Sequence, residues 1–191
     1  MPPKKPLIVI DPGHGGQDPG AVSPSTGRRE SDINLSLARA FEEAAQGAPF
    51  DTLVLRHEDV LLSLEDRARR ANEAGASALL SFHCNASQDP GAKGFEIWTS
   101  PGKTEADRLA TFIFLALEDL MPTIGRTDYD DGDPDKEARF YVLRKTGAPA
   151  VLIEFGFISN PADEGILAKP EMQIAMAAAV HKGLETWLGW I

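Results

Sequence analysis

Three apolar segments without polar alternation, at residues 7–10 (Leu-Ile-Val-Ile), 78–82 (Ala-Leu-Leu-Ser-Phe) and 150–153 (Ala-Val-Leu-Ile), most constrain what this chain can fold into. A strand with one wet face alternates, whereas a strand covered on both faces reads as a continuous apolar run. Residues 52–55 and 95–98 predict two further strands. The intervening segments carry helical spacing and start signals. Ile33, Leu37 and Phe41 recur every fourth residue, and Ser63-Leu64-Glu65-Asp66 resembles a capping box opening a helix that Gly75 can stop. Thr104-Glu105-Ala106-Asp107 opens another helix, carrying Leu109, Ile113, Leu117 and Leu120. Pro170 begins the last one, through Ile174, Ala178 and Leu184. Strands alternating with helices predict an α/β layered fold with helices on both faces of the sheet, a single domain over residues 1–191 with its core at about 7–188.

Composition narrows the function classes. The chain has 191 residues and a formal charge of −10, which disfavours nucleic acid and anionic lipid as partners. No apolar run is long enough to insert in a membrane. Cys84 is the only cysteine, so no intrachain disulfide is expected. The start, Met1-Pro2-Pro3-Lys4-Lys5-Pro6, is basic but precedes only four apolar residues, too few for a signal-peptide core. The acidic stretch 128–137 is expected to be a solvated loop lying before a strand around Tyr141-Val142-Leu143. Read as a calcium loop from Asp128, it places glycine fifth instead of sixth and Arg139 where glutamate is required.

Chemistry-bearing residues fall at the ends of the apolar runs. His14 lies in Asp11-Pro12-Gly13-His14-Gly15-Gly16, directly after the first run. A glycine-rich loop there could cradle phosphate, but the third glycine of a dinucleotide turn and the lysine of a P-loop are missing. Glycine on both sides instead leaves an imidazole uncrowded where open α/β sheets bind ligands. His83 ends the second run, as a ligand or a satisfied core histidine. Cys84 is predicted to face away from it, because successive strand residues point to opposite faces. Glu30 precedes a helical pattern, as a ligand or a carboxylate favoured by the helix dipole. Glu154 ends the third run, where burial without a partner is costly and desolvation raises a carboxyl pKa, suiting proton transfer. His57 and His181 are read as non-ligands. Arg56, Arg67 and Arg144 are candidates to anchor substrate anions or carbonyls, or surface ion-pairing residues; Asn85 is a candidate substrate contact. Neither a Gly-x-Ser-x-Gly elbow nor a His-Glu-x-x-His pair occurs. Three potential ligands and a spare carboxylate match a catalytic zinc site.

The segments 8–16, Glu30 with 32–35, Ser81-Phe82-His83-Cys84-Asn85-Ala86 and Glu154-Phe155-Gly156-Phe157-Ile158-Ser159-Asn160 together resemble the type-3 family of zinc-dependent N-acetylmuramoyl-L-alanine amidases. The resemblance runs from Leu7 to the final helix and implies a mixed, mostly parallel sheet. By it, His14, Glu30 and His83 bind Zn2+ and Glu154 is the catalytic glutamate. The implied reaction is hydrolysis of the amide between N-acetylmuramic acid and L-alanine of the peptidoglycan stem peptide, acting in the periplasm or cell wall. Rival expectations are a zinc peptidase or carboxypeptidase on wall peptides and a non-catalytic peptidoglycan-binding module. Cys84 stands where the family more often has alanine. The connection from Leu120 to Tyr141 is too short for the autoinhibitory helix of division-regulated members, implying an open enzyme. A compact amidase of this kind is expected to be a phage endolysin, a domain cut from a longer precursor, or an exported enzyme without its leader.

Overall fold

β1 (Leu7–Pro12) lies one strand in from the edge of a six-stranded sheet built with β2 (Asp51–Val54), β3 (Ala78–Asn85), β4 (Glu96–Thr99), β5 (Lys136–Glu137) and β6 (Ala150–Phe157), in the order β2-β1-β3-β6-β4-β5. The computed structural model describes residues 5–130 and 132–191. Every pairing is parallel except that of β4 with β6. The central register sets Ile10 beside Leu80, and His83 beside Glu154. Across the antiparallel pair Glu154 faces Glu96, so His83, Glu154 and Glu96 form one row over three strands.

Alternate residues of the same strands feed two cores. Ile8, Ile10, Leu80, Phe82, Val151 and Ile153 pack on one face against α1 (Glu30–Ala44), α3 (Glu105–Glu118) and α6 (Pro170–Trp187). Val9, Leu79 and Leu152 pack on the other against Ala71 of α2 (Leu64–Ala74) and Val142 and Leu143 of α4 (Tyr141–Lys145). Burial on both sides explains the unalternated runs, and each fully buried large side chain contributes roughly 1.5–3 kcal/mol of transfer free energy. A short α5 (Pro161–Leu167) follows β6, capped by Asn160, whose side chain accepts from the backbone of Ala162 and Asp163. The expected caps are present at Ser63 and Thr104, and Gly75 ends α2 in the left-handed region at φ 72°. Among the described residues no helix is long and apolar enough to cross a membrane.

Three expectations need correction. Residues 141–143 are helical, not a strand: both neighbours of β6 in the sheet are already taken by β3 and β4, and the short apolar run instead seals the second face as α4. The phase of α6 is also different. Met176, Ala177, Val180 and Leu184 are buried while Ile174 is 57% exposed, because an alanine- and methionine-rich helix gives no sharp apolar stripe. In the acidic stretch, Lys136 and Glu137 form the edge strand β5, and Asp135 is buried with Thr99 donating to it. Asp131 lies outside the described residues, as does the calcium register read across it. Residues 1–4 and the leader reading that rests on them do so too.

Candidate metal centre

The loop after β1 is held from beneath by two buried arginines. Arg56 donates to the carbonyls of Pro12, Gly13 and Ser31, each at 2.9 Å. Arg67 donates to those of Pro12 and His14, both at 2.7 Å, and to the Asp11 carboxylate. Burial pushes the Arg56 pKa down, yet the guanidinium stays charged at any ordinary pH. Both arginines were candidates for substrate anchors. Their donors are instead spent on backbone carbonyls that would otherwise be buried without partners, and what they fix is the position of His14.

His14 sits at φ 60°, the one positive-φ non-glycine among the described residues. Its Nδ1 lies 2.8 Å from Asp18 Oδ2, which selects the tautomer that presents Nε2 inward. Nε2 is 3.2 Å from Glu30 Oε1, and His83 Nδ1 reaches the same oxygen at 2.9 Å. Glu30 is the first residue of α1, one place earlier than the sequence pattern suggests. The helix start is capped by loop backbone, with Glu30 N donating to Ala21 O and Ser31 N to Pro19 O. The loop that carries His14 and the helix that carries Glu30 are thereby locked together. Gly13 and Gly20 are required by close approach: a Cβ on Gly13 would overlap the His83 ring, and one on Gly20 would meet Glu30 and His14.

One donor atom from each of His14, Glu30 and His83 lies within 4.8 Å of the others, the only such group of three among the described residues. Two imidazoles and a carboxylate, with a cleft in front, are the donor set of a catalytic metal site and fit zinc chemistry. The electrostatics agree. Burial opposes a charge on Glu30, but the hydrogen bonds and charges of His14 and His83 overcome it and hold the carboxyl well below the usual carboxylate range. Burial likewise opposes a proton on His14, and Glu30 and Asp18 outweigh it, raising the pKa to about 9. An ionised Glu30 and a protonated His14 thus stabilise each other.

Glu154 completes the cluster from β6. Its Oε2 is buried without a hydrogen-bond partner, and burial, together with Glu30 and Glu96, pushes its pKa to about 7 against the pull of the histidines. His14, His83 and Glu154 line one cleft of about 450 Å³, whose walls are Leu61, Leu62 and Leu64 on one side and Phe140, Tyr141 and Val142 on the other. Cys84 faces the α1 side as expected, its sulfur 3.6 Å from Asn34 Oδ1 and its thiol pKa raised by burial. Asn85 is outside the cleft lining; it donates to Glu96 and accepts from Ala86 N. Arg144 lines a neighbouring cleft instead. His57 pairs with Glu42 and His181 sits near Glu185, both away from the trio. Sequence reasoning missed Asp18 and Asn34, which donates to Glu30 Oε1 at 3.4 Å. The one legible signal was an acidic residue four places after His14 in the same loop.

The family model of N-acetylmuramoyl-L-alanine amidases matches residues 8–186. The amidase AmiC of Neisseria meningitidis is 27% identical, with 97% of this chain and 53% of that protein covered. The amidase LytC of Bacillus subtilis is 31% identical, with 92% of this chain and 34% of that protein covered. This chain thus spans about half or less of those relatives. A crystal structure of an N-acetylmuramoyl-L-alanine amidase from Clostridium difficile 630 superposes with a TM-score of 0.88 at 30% identity, covering 97% of this chain and 98% of that one. With a matching sheet, a matching sequence span and a His-Glu-His site suited to a metal, the chain belongs to the N-acetylmuramoyl-L-alanine amidase family.

Proposed function

We propose that this chain hydrolyses the amide bond between the lactyl group of N-acetylmuramic acid and L-alanine in peptidoglycan, using zinc held by His14, Glu30 and His83. Glu154 serves as the proton carrier. The observation that carries this reading is the buried, unpartnered Oε2 of Glu154 in the same cleft as His14 and His83. A carboxylate in that position is expensive unless it has work to do.

Zinc, when bound, supplies Lewis acidity that makes water a nucleophile near neutral pH and polarises the scissile carbonyl. Glu154 takes a proton from the attacking water, and with its pKa near 7 it returns that proton to the departing amine of L-alanine. Asp18 holds the His14 tautomer, and Asn34 and the Cys84 backbone N–H hold Glu30 Oε1. The leucine and aromatic walls give the cleft apolar sides. Such chemistry belongs to the cell wall, outside the cytoplasm.

The test is mass spectrometry of purified peptidoglycan digested by zinc-loaded protein, beside a chelated sample and Glu154→Gln. Peptides with a free L-alanine amine, dependent on both zinc and Glu154, are expected. Loss of terminal D-alanine would replace this reading with a carboxypeptidase. Binding to the wall without release of any fragment would replace it with a binding module.

A further inference from the structure

The chain has eleven arginines. Nine of their side chains are engaged within the protein, at positions 28, 29, 39, 56, 67, 69, 70, 108 and 126. The two that have no partner among the described residues, Arg139 and Arg144, both line the same cleft, of about 500 Å³. In a chain carrying a charge of −10, where carboxylates outnumber cations, two guanidinium groups left unpaired in one cleft are unexpected. The one acidic residue in the lining, Glu105, is taken by Arg108. Ser100, Thr104 and Thr146 also line it, with the Thr104 and Thr146 hydroxyls bonded to backbone of Ala106 and Val142.

This cleft adjoins the metal centre. Phe140, Tyr141 and Val142 wall the metal cleft, while Arg139, Leu143 and Arg144, from the same short segment, face the second one. β6 runs from one to the other, with Ala150 in the second lining and Glu154 in the first. Four strand residues span roughly 13 Å, and an extended peptide of about four residues spans the same length.

Resting on the amidase reading above, we propose that Arg139 and Arg144 form a carboxylate subsite that binds the stem peptide about three to four residues beyond the scissile bond. The muramic carboxyl is consumed in the amide that is cut, so the glycan presents no free carboxylate there. The stem peptide does, along its length and at its end. Guanidinium groups match a carboxylate through paired N–H donors, which a carboxamide cannot accept equally well. The subsite gives the cleft a direction: the peptide leaves over α4 towards the arginines, and the glycan leaves past Leu61 and Leu64.

The test uses a synthetic stem tetrapeptide with free carboxylates, its fully amidated counterpart, and the same two peptides joined to N-acetylmuramic acid. Calorimetry on the wild type is expected to show the carboxylate form binding about tenfold more tightly than the amidated form. R139Q/R144Q should abolish that preference, and R139K/R144K should keep part of it, because Lys retains the charge but not the fork. Both arginines are solvent-exposed and unpaired, and an unchanged melting temperature in each variant verifies the fold. A preference that survives R139Q/R144Q, equal binding of the two peptides by the wild type, or no binding of either at millimolar concentration would each overturn the subsite. Peptide binding is read without turnover. A zinc-loaded wild type that keeps the preference but cleaves neither muramoyl peptide therefore refutes the amidase reading and leaves the subsite standing.

Discussion

Arg67 and Asp11 are paired with only 3% and 1% of their side chains exposed, and the same guanidinium carries the carbonyl of His14. One buried cation thus joins the interior of the sheet to a proposed metal ligand. Replacing Arg67 with Met leaves Asp11 as an uncompensated buried charge, and breaking a buried pair in this way costs about 3–5 kcal/mol. Urea unfolding of the metal-free variant should show that loss. Zinc affinity should fall with it, because the loop carrying His14 loses its anchor.

Asp18 fixes the ring of His14 without touching the metal position. Asp18→Asn should keep the fold and weaken zinc binding by roughly 10–100-fold, the usual effect of losing a carboxylate behind a histidine ligand. Competition with a chromophoric chelator measures this directly. An affinity equal to wild type would show that the loop backbone alone orients the ring.

The raised pKa of Glu154 has a stability consequence in the metal-free protein. An ordinary carboxyl titrates at 4.5, and this one, buried, titrates at about 7. Between those values the folded state holds a proton that the unfolded chain has released, so stability is greatest below pH 4.5 and falls as pH rises towards 7. The loss contributed by this group is roughly 3 kcal/mol; wild type should lose most of it between pH 5 and pH 8, and Glu154→Gln, which has no carboxyl to titrate there, should not. In catalysis the ionised form takes the proton. Hydrolysis should therefore rise with pH on the acid side, with its midpoint drawn below 7 by a neighbouring cation.

Gly13→Ala tests the closeness of loop and ring. The added methyl would occupy the place of the His83 imidazole, and overpacking of this kind costs about 1–3 kcal/mol. Zinc binding should suffer more than stability, because His83 can swing away towards the open cleft. Parallel chelator and melting experiments separate the two effects.

The parts of this site legible in the sequence are those where local pattern and chemistry conflict. Glu154 stood out because a carboxylate directly after Ala-Val-Leu-Ile has no local explanation, and the structure leaves its Oε2 buried and unpartnered. The three strands nearest the centre were legible because burial on both faces removes alternation. Residues 141–143 were not, since three apolar residues satisfy a strand and a helix equally and only the occupied flanks of β6 decide between them. The work of Arg56 and Arg67 was hidden for a different reason. Their partners are backbone carbonyls, which every residue possesses, so no side-chain pattern marks them. Ile174 misled because α6 is apolar around most of its circumference.

The row His83, Glu154, Glu96 lies directly across three hydrogen-bonded strands. The span between the proposed metal ligand His83 and the proposed proton carrier Glu154 is consequently set by the spacing of adjacent strands, about 4.8 Å, and the sheet acts as a ruler. Whatever the loops around it do, the backbones that carry the two groups stay at this spacing unless the central ladder itself opens. Heating should therefore abolish hydrolysis and unfold the sheet at the same temperature, without a loosened, half-active form in between.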